Sequence, residues 1–255
     1  MKGISSSTKK RVYELVDDLF DKMSLSFLGN IPSLRNKKNI LFTSRPDYTL
    51  AHLFLKGLGS NNPNPQEEEA MKNILSTAEE YVSSLRSKTK AQLVDKIDAY
   101  VREKRMKGFA PSSVDIKKYV DESLDSAKKH MRTIAEAETT KSRNMGRLFN
   151  IAKVGDSQGV SDPNVFFVVL RDNVTCKHCI QAHLLPDGVT PKVYKLSEVK
   201  FSYLGKDEKG KSVSVAGQHP HCRCSLSFLA PNFGFKNGQI SYIGDGHDEY
   251  KKQRG

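Results

Sequence analysis

Two short clusters of cysteine and histidine constrain this chain more than anything else in it. The first is Cys176-Lys177-His178-Cys179. The second is His219-Pro220-His221-Cys222-Arg223-Cys224, and 42 residues separate Cys179 from Cys222. Two cysteines spaced x-x on one tight turn can present both thiolates to a single tetrahedral ion. The second cluster adds two more thiolates and two imidazoles. An ion held by both clusters closes the intervening loop and ties together a lobe with few large apolar residues. The whole chain is 37% hydrophobic and has no tryptophan, so a metal staple suits it.

Other uses of these cysteines fit less well. A disulfide between Cys222 and Cys224 would be strained, because residues at that spacing in a strand point to opposite sides. Pairing across the clusters would need an oxidising compartment. The N-terminal stretch MKGISSSTKKRVYELVDDLF carries charges where a signal peptide needs an apolar core, so a reducing cytoplasm is expected. A thioredoxin-type redox role would want a βαβ context with a helix after the Cys-x-x-Cys, and none is evident. The expected cofactor is a structural Zn2+. Cys176, Cys179 and Cys222 are its firm ligands, and Cys224 or His219 is the fourth. His178, His183 and His221 are read as surface histidines or as residues outside the ligand set. Four protein ligands leave no open position for chemistry. Zinc deaminases need H-x-E ahead of P-C-x-x-C, zinc proteases need H-E-x-x-H, and a His-Asn-His nuclease needs a partner Asn. The chain has none of these, so no catalytic residue is assigned and no enzyme is expected.

Ahead of the clusters the sequence reads as helical. Val12, Leu15, Val16, Leu19, Phe20 and Met23 recur at helical spacing between Thr8 and Leu28,. Residues 29–45 are irregular and basic, a short helix is expected over Tyr48–Leu58, and GSNNPNP is a break. Asn64 can cap the next helix, with Pro65 at its first position and Glu67, Glu68 and Glu69 near its positive end. Gly108 and Pro111 end it. A second long helix starts at Ser112 or Ser113, with the stripe Ile116, Val120, Leu124, Ala127, Met131, Ile134, Met145, Phe149, Ala152. The two make a helical hairpin. Glu138 falls on that apolar stripe, where a buried carboxylate needs a partner; backbone N–H groups or Arg223 are the expected ones. Beyond residue 153 the pattern changes to short strands at Asn164–Asp172, Val193–Tyr194, Val213–Val215, Cys224–Leu229 and Gln239–Ile243, separated by turns at Pro186-Asp187-Gly188 and Gly205–Gly210. The expected class is α+β: a helical domain over 1–152, a zinc-bound β-rich domain over 153–240, and a flexible tail over 241–255.

The formal net charge is +12, which favours polyanionic partners. No aromatic stacking pattern accompanies it, and lysine-rich solvated helix faces account for it equally well. No apolar run approaches the ~20 residues of a membrane span, so no membrane partner is expected.

A helical N-terminal region, a strand ending in Asp before T-C-x-x-C, and then H-P-x-C-R-C resemble the Mu F-like head morphogenesis (minor head) proteins of tailed phages. The residues that carry the resemblance are Asp172, Cys176, Cys179, His219, Pro220, Cys222, Arg223 and Cys224. The family also has a helix segment similar to I-A-R-T-E followed by an Asn and a Gly. Here it reads Ile134-Ala135-Glu136-Ala137-Glu138, with Asn144 and Gly146 following. Glu136 and Ala137 stand where the family has Arg-Thr. The resemblance spans roughly residues 114–230. It implies a structural virion component acting in capsid assembly or genome packaging. Its implied partners are the portal or the major capsid protein and double-stranded DNA. Its implied place is the capsid interior or portal vertex, in several copies, after assembly in the host cytoplasm. A zinc-ribbon nucleic-acid-binding protein is the alternative, and a metal-dependent nuclease the third reading.

Overall fold

The computed structural model describes residues 4–28 and 49–244. The irregular basic segment expected at 29–45, Tyr48, and all of the expected tail after residue 244 lie outside them. The chain mixes helix and strand, with five α-helices and seven strands among the described residues. The helices are α1 (Ser6–Leu28), α2 (Leu50–Leu58), α3 (Pro65–Met106), α4 (Ser113–Ser157) and α5 (Lys177–His183). The strands are β1 (Asn164–Val168), β2 (Val193–Lys195), β3 (Val199–Lys200), β4 (Val213–Ser214), β5 (Ser225–Leu229), β6 (Phe233–Lys236) and β7 (Gln239–Tyr242). None of these helices is long and apolar enough to cross a membrane.

Contacts divide the chain into two compact units, residues 1–49 with 75–135 and residues 50–74 with 136–255. Both long helices therefore contribute to both units. The boundary expected at residue 152 falls inside the second unit, and α4 continues past it to Ser157.

In the first unit Val12, Val16 and Phe20 of α1, Ala78, Val82, Leu93, Ile97 and Val101 of α3, and Ala127 and Met131 of α4 are buried. Leu15, on the expected stripe of α1, is half exposed. Arg86 Nη2 pairs with Asp21 at 2.8 Å and Lys90 with Asp17 at 2.6 Å, linking α1 to α3. The turn into α4 is fastened by Tyr100, whose hydroxyl donates to Asp115 Oδ2 at 2.5 Å and accepts from Ser112 N at 3.1 Å. Gly108 takes φ +77° there, the left-handed conformation that ends helices with little steric cost.

In the second unit α3 begins with a capping box. Asn64 Oδ1 accepts from Glu67 N at 3.0 Å, and Glu67 Oε2 accepts from Asn64 N at 2.7 Å,. Lys153 of α4 reaches the buried Glu67 at 2.6 Å. Helices α2 and α4 touch backbone to backbone. A Cβ on Gly57 would lie 2.2 Å from Arg143 O, and one on Gly146 would lie 2.0 Å from Phe54 O. Only glycine fits at either position. Ser142 Oγ donates to Leu50 O at 2.6 Å across the same contact.

The main sheet is antiparallel, in the order β2-β1-β5. Phe166, Val193, Leu229 and Phe235 form a core cluster on it. The strand expected over Asn164–Asp172 stops at Val168, because its partner β5 begins at Ser225 opposite it. Beyond that point the chain turns, with Asp172 N donating to Leu170 O and Thr175 N to Asp172 O. Three helices or strands differ from the sequence expectation by being present: β3, β6 and α5. β6 and β7 form a hairpin closed by Asn237 and Gly238, both at positive φ, the two-residue turn that Asn-Gly favours.

Candidate metal centre

The centre lies where α5, the Gln218–Cys224 turn and α4 meet within the second unit. Cys176 is the N-cap of α5, and its sulfur accepts from Cys179 N at 3.4 Å. This puts the Cys-x-x-Cys pair on the first turn of a short helix. Cys222 N donates to His219 O at 2.9 Å, a tight turn that brings His219 and Cys222 to one side. Gly217 has φ +77°, and a Cβ there would lie 2.5 and 2.6 Å from Cys222 Cβ and Sγ. Gln218 is buried and ties this turn to the preceding loop, accepting from Gly210 N and donating to Ser212 O, each at 2.8 Å.

Helix α4 holds the second cluster from behind. Thr140 Oγ1 donates to Cys222 O at 2.6 Å. The buried Asn144 makes three bonds: Nδ2 donates to Val215 O at 3.0 Å and to Cys224 O at 3.1 Å, and Oδ1 accepts from Leu226 N at 3.1 Å. Arg147 Nη1 donates to Leu226 O at 3.2 Å.

All four cysteines are free thiols, and Cys179, Cys222 and Cys224 are buried. Cys179 Sγ lies 3.6 Å from His219 Nε2 and 3.7 Å from Cys222 Sγ. A tetrahedral ion with Zn–S of about 2.3 Å and Zn–N of about 2.0–2.1 Å places its donors about 3.5–3.8 Å apart, so both separations suit a shared ion. Donor atoms of Cys176, Cys179 and His219 all lie within 4.8 Å of one another, and so do those of Cys179, His183 and Cys224. A hollow of about 20 Å³ is lined by Cys176, Cys179, His219, His221, Arg223 and Cys224, among others. The cluster could therefore hold a metal ion. Cys222 is held well below the usual thiol range by hydrogen bonds from Cys179 and Cys224. Cys179, the donor to it, is pushed up by the same bond, by Cys224 and by burial. Burial also lowers His219, which favours the neutral imidazole that binds metal. A soft divalent cation would displace the remaining thiol protons.

The histidines divide. His221 is 59% exposed at its side chain and pairs with Glu136, as a surface histidine does. His183, expected outside the site, is fully buried instead. Its ring stacks on Phe167, with centroids 4.4 Å apart, and burial pulls it down to about 4, opposed by the charge of Cys222. Among the described residues neither ring nitrogen has a hydrogen-bond partner. A neutral imidazole carries one N–H, and burying it unpaired costs on the order of 1–3 kcal/mol. The signal for His183 was its spacing: four residues after Cys179 on a helix is the same face. That signal is invisible until 177–183 is recognised as helical.

The expected Glu138–Arg223 bond is not made. Arg223 pairs with Asp172 at 2.8 Å, and Asp172 also accepts from Thr175 Oγ1 at 2.9 Å. Glu138 is 1% exposed and accepts from Tyr203 Oη at 2.7 Å, with Lys141 Nζ 3.7 Å away. Tyr203 lies in the loop after β3, while Arg223 is exposed and pairs with Asp172. No protein-family model matches the chain, and neither does any curated protein or solved structure.

Proposed function

We propose that this chain is a structural, non-enzymatic minor head protein of a tailed phage, carrying structural Zn2+ and acting by binding the portal or capsid interior. The observation that supports this reading is how the two motifs of the resemblance meet. Of the helix residues, Glu138 takes Tyr203, Asn144 fastens the backbone at Cys224 and Leu226, and Gly146 lets α2 touch α4. Each of these three helix residues thus links α4 to the elements around the cysteines or to α2. Those are assembly roles within the fold. Zinc is the ion favoured by a set of thiolates and one imidazole in a reducing cytoplasm. A closed set would supply folding free energy, not a reactive water. The surplus positive charge fits a place among packaged DNA or against an acidic portal surface.

The test has two parts. Zinc per chain is measured in protein purified without chelator, beside Cys176→Ser. Bound zinc in the wild type and a lower zinc content in the variant are expected. The zinc-loaded protein is then sedimented with portal rings and with empty procapsids. Co-sedimentation is the expected result. Binding to DNA alone, with a steep salt dependence, would move the reading to a nucleic-acid-binding zinc ribbon. Metal-dependent DNA cleavage lost in His219→Ala would overturn the non-enzymatic reading.

A further inference from the structure

His183 closes α5 one helical turn beyond Cys179, with its side chain wholly buried. A ring nitrogen lies within 4.8 Å of the sulfurs of Cys179 and Cys224, which are equally close to each other. Cys222 Sγ is 3.7 Å from Cys179 Sγ. His183 does not line the hollow that Cys176, Cys179, His219 and Cys224 share. It meets two of those sulfurs from the interior. Its ring nitrogens have no hydrogen-bond partner among the described residues, whereas buried polar atoms are nearly always paired. Stacking on Phe167 alone would be served by an apolar ring.

We propose that His183 is a metal ligand, defining an inner position with Cys179, Cys222 and Cys224 beside the outer position at Cys176, Cys179 and His219. Cys179 belongs to both. The inner donors are three thiolates and one imidazole, a set suited to zinc, cobalt or cadmium. Ligation gives one of the orphaned nitrogens the partner it lacks. The inference rests on the reading of the cluster as a metal centre and adds a donor that the Cys-x-x-Cys and His-x-x-Cys-x-Cys spacings do not contain.

Two measurements test it. In the first, the imidazole nitrogens of 15N-labelled full-length protein are followed by NMR as zinc is added to metal-free protein. A ring nitrogen of His183 should shift upfield to the range of a metal-bound nitrogen. In the second, cobalt is titrated into wild type, into Cys176→Ser/His219→Ala, and into the same double variant with His183→Leu. The double variant should keep one cobalt with a thiolate charge-transfer band. Adding His183→Leu should weaken it by at least about 10-fold, since even indirect partners of a ligand are worth about 10–100-fold. A metal-loaded wild type whose His183 nitrogens do not move would overturn the inner position and leave the outer one standing. So would a double variant that binds no cobalt while the wild type does. A wild type that binds neither ion would overturn the metal centre itself. The NMR measurement needs no variant, so a misfolded His183→Leu cannot leave the question open.

Discussion

Replacing Asn144 by alanine should be among the most damaging single changes in the second unit. The side chain is 1% exposed and makes three hydrogen bonds, to Val215 O, Cys224 O and from Leu226 N, at 3.0, 3.1 and 3.1 Å. Each bond contributes about 0.5–1.5 kcal/mol net, and an orphaned buried donor costs about 1–3 kcal/mol. The two carbonyls each have a second lone pair and lose less than the Leu226 N–H, which has nowhere else to go. The expected loss is about 3 kcal/mol. In a unit of this size that lowers the midpoint by roughly 6–12 °C. Thermal melts should be run with zinc and with chelator. The deficit should appear in both, because the three bonds are the protein's own and do not depend on the ion. Exchange of the Leu226 amide, read by NMR, gives a local check and should speed up markedly. Asn144→Asp keeps the acceptor for Leu226 but turns an anion toward two carbonyls. At neutral pH it should be no better than alanine. A loss below about 1 kcal/mol, with Leu226 exchange unchanged, would refute the claim that this residue fastens the cysteine-bearing segment to α4.

Gly146→Ala should destabilise by about 3 kcal/mol or more, since its Cβ would sit 2.0 Å from Phe54 O and backbone cannot give way as a side chain can. Gly108→Ala, at a left-handed glycine with nothing within 4 Å, should cost only about 1 kcal/mol; equal losses in urea melts would contradict the close helix contact. The Glu138 carboxyl is raised by burial, against the pull of Tyr203 and Lys141. The folded state therefore holds its proton more tightly than the unfolded chain does, and this group's contribution to stability falls as pH rises from about 4.5 through the raised value. Glu138→Gln, which can still accept from Tyr203, should flatten that fall. A pH–stability curve identical to wild type would argue against a buried, proton-retaining carboxyl.

Much of this architecture can be read from spacing alone. The stripes of α1, α3 and the first half of α4 are periodic, and Asn64-Pro65 and Gly108 mark the ends of α3, because a helix with one buried face leaves that period in its sequence. The second half of α4 does not obey it. From residue 136 onward it is covered on several sides, so Ala137, Asn144, Leu148 and Ile151 are buried alongside the stripe residue Met145, and a single-face pattern misplaces the core. Of the legible strands β1, β2, β4, β5 and β7, β1 is an apolar run with two valines, and β5 alternates serine with leucine and phenylalanine. β6 is short and begins in a Phe-Gly-Phe run, and its real marker is the Asn237-Gly238 turn that follows it. The four cysteines are legible as a site because thiolates bind metal through fixed local spacings. What holds the second cluster in place is not local. It comes from Thr140 and Asn144 of α4, 82 and 80 positions ahead of the backbone carbonyls they hold. A polar residue on an apolar stripe, such as Glu138 or Asn144, announces that it has a partner without saying which. Glu138 illustrates the cost of guessing: charge complementarity favoured Arg223, but burial beside Lys141 favoured a phenol, which can donate one hydrogen bond without bringing a second cation to be desolvated.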